Sequence, residues 1–259
     1  MKVHFLGTTG YHPNDQRHTM CVMIPELGIV LDAGTGFFRA RDLLATAELN
    51  LLLSHAHLDH LIGLSFLFDV LFQKEVRANL FAMGDKLAAI ESCFFHPTLF
   101  PVRPPFTAHE IEKISKPTKS QSSVGGEFSL AGGVLVRWFP VEHPGGAIGF
   151  RLSLPGGKSL AYVTDTTAAL DAAYVAEIED VDLLIHECYF DDGVEDHARL
   201  TGHSCLTPVI QIARQSRARQ TVLVHLNPLA EWAPPADKIR RLAGDLNLVV
   251  PADQMVLEF

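Results

Sequence analysis

Within six residues, His55-Ala56-His57-Leu58-Asp59-His60 offers three imidazoles and one carboxylate. Those are ligand types for a borderline divalent ion such as Zn²⁺, and they also suit Mn²⁺ or Fe. The apolar run Leu51-Leu52-Leu53 just before them reads as a strand. If the backbone stays extended through residue 57, side chains alternate and His55 and His57 point to one side. Asp59 and His60 then fall where a helix can begin, because Leu61, Ile62, Leu64, Phe66, Leu67 and Phe68 supply it with an apolar side. Ligands divided two and two across such a corner fit two adjacent ions better than one. His55 and His57 would take the first ion, Asp59 and His60 the second.

A site of that kind needs further ligands at other strand ends, where convergent polar sites are built. Three positions qualify. His143 follows the apolar Trp138-Phe139-Pro140-Val141 and precedes the turn Pro144-Gly145-Gly146. Asp165 ends Leu160-Ala161-Tyr162-Val163, and His225 ends Val222-Leu223-Val224 before Asn227-Pro228. An Asp at a strand end is more often a turn residue than a ligand, so Asp165 gains weight only as one of the set.

His55-x-His57-x-Asp59-His60 resembles the His-x-His-x-Asp-His signature of the metallo-β-lactamase-fold hydrolases. The opening Phe5-Leu6-Gly7-Thr8 and Leu31-Asp32-Ala33-Gly34 is similar to the branch related to ribonuclease Z. The resemblance runs from about residue 3 to 258. It implies that His55, His57 and His143 hold one metal, that Asp59, His60 and His225 hold a second, and that Asp165 bridges both. Ile185-His186-Glu187-Cys188 and Gly202-His203-Ser204-Cys205 are similar to the His-Glu-Ala-Thr and Gly-His-Ser-Thr segments of ribonuclease Z and its phosphodiesterase relatives. By that likeness His203 sits near the phosphate and assists proton transfer, oriented by Glu187. Asp59 could also orient the nucleophile. The chain departs from the pattern at Cys188 and Cys205. Asp32 reads as a supporting strand-end residue near the metal loop, and His186 and His197 as structural residues with solvent nearby.

The elements that must position these groups read as follows. Residues 1–7 form a strand, 20–24 and 28–32 a hairpin around Pro25-Glu26-Leu27. Helices are expected over 36–46, 60–73, 85–95, 169–179, 205–217 and 235–244. Strands are expected at 80–83, 127–130, 134–141, 147–154, 158–163, 181–186, 221–224, 247–250 and 255–258, with glycine turns at Ala131-Gly132-Gly133 and Pro155-Gly156-Gly157. The Pro- and Phe-rich stretch 96–106 reads as a loop, with Phe100 and Phe106 lining a substrate wall or simply packing it. His96 reads as a loop or capping residue. Residues 111–124 are polar and read as a surface connection. The whole is expected to be one α/β (α+β) domain over 1–259, a four-layer αββα sandwich of the metallo-β-lactamase fold.

Composition narrows the function. With 47% apolar and 20% charged residues the chain is an ordinary globular protein. No run of about 18 apolar residues suggests a membrane span. The apolar start Val3-His4-Phe5-Leu6 is too short for a signal peptide, so a cytoplasmic location is expected. Cys21, Cys93, Cys188 and Cys205 are scattered and read as buried free thiols. The net charge is −9, whereas a protein gripping long nucleic acid normally presents an excess of Lys and Arg. Arg214-Arg217-Arg219 and Lys238-Arg240-Arg241 read as solvated helix faces. No flexible basic arm interrupts the interval from His60 to His143, which disfavours a large nucleic-acid partner.

The reading that results is a dinuclear metal-dependent hydrolase carrying two divalent ions, Zn²⁺ first and Mn²⁺ or Fe as alternatives. It would be a phosphodiesterase acting on a small or cyclic phosphodiester through a metal-bridging hydroxide. The alternatives are a tRNA 3′-processing endonuclease, a hydrolase of a lactone or thioester, and, lowest, a non-catalytic metal-binding module. A homodimer is open, with the 66–72 helix as a candidate exposed apolar side.

Overall fold

A computed structural model describes residues 1–118 and 125–259. Of the connection expected over 111–124, the start forms a short helix Ile111–Ile114 and a strand Lys116–Pro117, and 119–124 lies outside the described residues. The chain divides into two compact units, Met1–Ser115 with Ala252–Phe259, and Lys116–Pro251. The first six strands are β1 (Lys2–Gly7), β2 (Cys21–Ile24), β3 (Ile29–Leu31), β4 (Glu48–Leu52), β5 (Arg77–Ala82) and β6 (Phe106–Glu110). The second unit contributes β7 (Lys116–Pro117), β8 (Gly126–Leu130), β9 (Val134–Val141), β10 (Ala147–Ser153), β11 (Ser159–Val163), β12 (Leu183–Glu187), β13 (Gln220–Val224) and β14 (Leu248–Val249). The chain then returns to the first unit with β15 (Val256–Glu258). Each unit carries one mixed sheet, in the order β15-β1-β2-β3-β4-β5-β6 in the first and β14-β13-β12-β11-β10-β9-β8-β7 in the second.

The parallel part of each sheet does the positioning. In the first unit β3, β4 and β5 run parallel, with Leu31 opposite Leu52 and Leu52 opposite Phe81. Their carboxyl ends therefore deliver Asp32 and the segment from Leu53 to His60 to one edge. In the second unit β11, β12 and β13 run parallel, with Val163 opposite His186 and Glu187 opposite Val224. Asp165, Glu187 and His225 leave the sheet at one edge for the same reason. Polar crevices of open α/β sheets form at such carboxyl ends.

Apolar residues fix these sheets. In the first unit Leu6, Met23, Val30, Leu49, Leu51 and Leu80 pack with Phe37, Leu64 and Leu67 from the covering segments. In the second, Phe139, Ala161, Val163 and Leu184 meet Tyr174, Ile178 and Ile212. The helix Leu206–Ser216 buries Leu206, Val209 and Ile210 together with Leu223 and Ile239.

Most expected strands form within a residue or two, as do the hairpin and the helices Leu206–Ser216 and Ala236–Ala243. Other helices differ. Thr35–Leu43 is a 3-10 helix, Gly84–Ala89 runs into a π turn at Ile90–Phe94, and only Tyr174–Glu177 is helical in 169–179. The expected 60–73 helix is broken into Leu58–Leu61, a 3-10 stretch Ile62–Phe66, and Leu67–Leu71. The Gly63 amide donates to the carbonyl of Ala33 (2.7 Å), which takes it out of regular helical pairing. The strands β6 and β7 and the helix Glu195–Thr201 were not legible. Phe100 and Phe106 pack against Phe95, with ring centroids 5.2 and 5.7 Å away, so the stretch is a packed structural loop. His96 caps it locally by accepting the Thr98 amide (3.3 Å).

Cys21, Cys188 and Cys205 are buried free thiols as expected, but Cys93 is exposed, because it lies on the outer side of the π turn. Arg217 and Arg219 lie beyond the helix end and pair with Asp180 (2.8 Å) and Asp182 (3.3 Å). Both side chains are solvated, 56% and 78% exposed, and paired at the surface rather than laid along a helix face. Among the described residues no helix is long and apolar enough to cross a membrane.

Candidate metal centre

In the first unit one buried carboxylate organises the ligand loop. Asp32, 1% exposed, accepts the Ser54 amide (2.8 Å) and the Ser54 hydroxyl (2.8 Å). Its Oδ2 also lies 2.8 Å from His60 Nδ1. Ser54 Oγ lies 3.0 Å from His55 Nδ1. With the hydroxyl proton committed to Asp32, the consistent tautomer has both histidines donating from Nδ1, which makes Nε2 the lone-pair nitrogen of each. A carboxylate behind a ligand imidazole fixes its tautomer and raises its basicity. Asp32 thus has the supporting role expected of it, and it serves two histidines.

The candidate ligand rings gather accordingly. His55 lies 4.5 Å from His57 and 4.2 Å from His60, centroid to centroid. His60 Nε2 stands 3.3 Å from Asp59 Oδ2. His55 and His60 are buried and His57 is exposed. Gly34 is required beside them, because a Cβ there would overlap the carbonyl oxygen of Asp59. The Ala33 amide completes the grip by donating to the His60 carbonyl (2.7 Å).

In the second unit Asp165 is the hub. Its Oδ1 lies 3.2 Å from His225 Nε2 and its Oδ2 3.6 Å from His143 Nε2. Each oxygen of this 1% exposed carboxylate faces a different imidazole. His143 Nδ1 donates to the carbonyl of Gly202 (2.9 Å), which again makes Nε2 the lone-pair nitrogen. Burial, the leading cause, lowers the His143 pKa below the ordinary histidine value, so this ring is neutral as a ligand must be. Ligand atoms of Asp165, His203 and His225 all lie within 4.8 Å of one another.

Backbone conformation aims these groups. Asp32, Asp165 and His225 have φ of +55°, +48° and +52°, a left-handed conformation uncommon outside glycine. All three come just after a strand. Such strain persists where surrounding structure holds it, and it concentrates at functional sites. Gly202, φ +73°, ends the helix Glu195–Thr201 and turns the chain into His203. A Cβ there would overlap the Pro144 ring.

His203 and Glu187 pair as expected, with Nδ1 3.3 Å from Oε1. Glu187 is fully buried and is anchored by the amides of Thr166 (2.6 Å) and Ser204 (3.2 Å). Tyr189 stacks on His203 (4.4 Å, 18°) and His225 lies 5.2 Å from it. A cavity of about 100 Å³ beside His203 is lined by Thr167, Ser204, Glu195 and Arg199. Burial pushes the Cys205 thiol up to about 11 and Cys188 above its ordinary value. His186 is structural, but no solvent is near it. It is fully buried, with Tyr174 Oη 3.0 Å from Nε2. His197 is exposed and packs against Phe190 and Trp232.

Sequence reasoning missed Ser54 and Tyr189. A hydroxyl directly before the first ligand was the available signal for Ser54; nothing local marked Tyr189.

Residues 28–226 match the β-lactamase superfamily domain. The chain belongs to the β-lactamase superfamily. Its fold is the metallo-β-lactamase fold, as expected from the sequence. A curated relative across this chain's whole length is the ribonuclease Z of Halorubrum lacusprofundi, 27% identical and covered over 97% of its length. Among solved structures, the short form of human tRNase Z aligns with all of this chain and 99% of its own (TM-score 0.74, 21% identity). A diphosphatase of the PhnP family aligns with all of this chain and 97% of its own (TM-score 0.71, 18% identity). This superfamily member is a metal-dependent hydrolase, and its His/Asp clusters fit a divalent metal.

Proposed function

We propose that the chain is a dinuclear phosphodiesterase acting on a small or cyclic phosphodiester. The observation that carries this reading is the His203–Glu187 pair set among Asp165 and His225. His55, His57 and His143 would hold one divalent ion, Asp59, His60 and His225 the other, and Asp165 both, with Zn²⁺ the first candidate. Bound there, the ions supply Lewis-acid stabilisation of phosphate oxygens and lower the pKa of bound water. The donor chemistry is compatible, since His55, His60 and His143 each have Nδ1 engaged by an oxygen and Nε2 as the lone-pair atom.

The chain's own residues do the rest. Glu187 accepts from His203 Nδ1, so it orients the ring and stabilises its protonated form. His203 Nε2 can then donate to a phosphate oxygen or to the departing alkoxide, which is general-acid help at the atom that gains charge. Asp59 orients the attacking oxygen. Tyr189, stacked on the His203 ring, limits its rotation.

Small diesters are favoured over RNA by the net charge of −9 and by the commitment of Arg214, Arg217 and Arg219 to internal partners. The alignment with the Halorubrum ribonuclease Z runs over 306 positions against the 259 residues here. That relative therefore carries inserted residues that this chain lacks. The diphosphatase likeness points the same way. The ribonuclease Z names of the curated relatives favour a second reading, tRNA 3′ processing. A cytoplasmic homodimer is part of the proposal, with the exposed Phe68 and Phe72 as its apolar contact.

The test is hydrolysis of bis(p-nitrophenyl) phosphate alongside metal content, for wild type and His203→Ala. Two metals per chain in both proteins, with kcat reduced by about 10²–10⁴-fold in the variant, is the expected result. Unchanged kcat removes His203 and reopens the carbonyl-substrate reading. One metal or none sinks the dinuclear centre.

A further inference from the structure

The loop from Thr8 to Thr19 is held shut by a residue from the far end of the sequence. Asp253, 5% exposed in its side chain, accepts the Thr8 hydroxyl at Oδ1 (2.8 Å). At Oδ2 it accepts the His18 amide (2.7 Å) and an Arg39 guanidinium N–H (2.6 Å). The amides of Thr8 and Thr9 both donate to the His18 carbonyl, at 2.9 and 3.1 Å. Asp253 therefore ties both sides of the loop's neck to one point. Inside the loop, Asn14 Oδ1 accepts the amides of Gln16 and Arg17 at 3.0 and 2.9 Å, and Arg17 reaches back to the Thr8 hydroxyl. The loop is braced along most of its length.

What the brace presents is a backbone amide. Tyr11 N–H donates to Asp59 Oδ2 at 2.7 Å, and the same oxygen lies 3.3 Å from His60 Nε2. Tyr11 holds this position at φ +60°, which is an outlier for a bulky residue. The residue is 75% exposed, so burial of the ring does not account for this conformation.

We propose that the Tyr11 amide and Asp253 are positioning groups for Asp59. Asp253 fixes the neck, the braced loop carries Tyr11 to the carboxylate, and the amide holds Oδ2 so that Asp59 meets its ion in a set orientation. The inference rests on the reading of Asp59 as a ligand. Loss of outer partners of metal ligands typically costs about 10–100-fold in affinity.

The experiment is competition of the metal-free chain with a chromophoric chelator for Zn²⁺, with far-UV circular dichroism as the fold check. Wild type is expected to show two binding classes. In Asp253→Asn one class weakens by about 10–100-fold while the other is unchanged. Tyr11→Gly keeps the N–H and tolerates the backbone angle, so it binds as wild type does. Tyr11→Pro, which lacks the N–H and cannot adopt the positive φ that presents it, weakens the same class as Asp253→Asn. Should Asp253→Asn fail to fold, the Gly and Pro pair decides alone. Full affinity in both Asp253→Asn and Tyr11→Pro overturns the proposal, and so does equal loss in Tyr11→Gly, which would assign the role to the ring. Wild type that binds fewer than two ions fails at the ligand reading, a result separate from two retained classes in the variants.

Discussion

Asp32 illustrates how much one buried side chain can control. It reaches His60 directly and His55 through Ser54. Removing it leaves the Ser54 amide and the His60 Nδ1–H buried without their carboxylate, and each unsatisfied group costs about 1–3 kcal/mol. Asp32→Ala should lose folding stability and bind Zn²⁺ about 10–100-fold more weakly, measured by chelator competition on folded protein. Asp32→Asn should fall between, because an amide offers one acceptor oxygen where the site presents three donors. Wild-type affinity in Asp32→Ala would show that the ligand rings hold themselves.

At the scale of elements, the contact between β12 and the short helix Tyr174–Glu177 turns on His186. Its Nδ1 donates to the Glu187 carbonyl (2.8 Å) and its Nε2 accepts from Tyr174 Oη (3.0 Å), so the neutral ring is fully satisfied. Burial, the leading cause, lowers its pKa below the ordinary histidine value of 6.5. The unfolded chain then binds a proton below pH 6.5 that the folded chain refuses. Stability from this ring is complete above pH 6.5 and is lost as pH falls toward the folded pKa. His143, lowered for the same reason, adds in the same direction. The lowered carboxylates, such as Asp182 and Asp192, act only at more acid pH, since their ordinary value is 3.8. Thermal unfolding of the metal-free chain should therefore show stability declining from pH 7 to 5.5, with a smaller decline in His186→Gln. An equal decline in the variant would assign the slope to other histidines.

For the whole molecule, charge bears on the proposed preference for a small substrate. A net charge of −9, with several arginines committed to internal carboxylates and carbonyls, leaves little to release phosphate counterions. Binding of a tRNA precursor is expected to be weak at 0.1 M salt, and log affinity should fall with log salt at a slope shallower than that of a protein making six or more phosphate contacts. Filter binding across salt concentrations measures it. Tight binding with a steep slope, accompanied by precise 3′ cleavage, would move the function to RNA processing.

Local chemistry made much of this protein legible. The ligand types of residues 55–60, the strand before them and the strand-end settings of His143, Asp165 and His225 follow from side-chain chemistry, alternation and turn residues, all short-range properties. So do the hairpin at Pro25 and the α-helices Leu206–Ser216 and Ala236–Ala243, whose apolar spacing is set by the chain itself. Tertiary structure decided the rest, because it depends on groups far apart in sequence. Gly63 spends its amide on Ala33, and a predicted helix breaks. The parallel registers of β3–β5 and β11–β13 choose which strand ends share an edge, and no local pattern encodes that choice. Asp253 reaches Thr8 across 245 positions, and the left-handed turns at Asp32, Asp165 and His225 are held only by what packs around them. Sequence alone named the atoms that can bind metal; long-range hydrogen bonds and packing fixed their tautomers and directions within each unit.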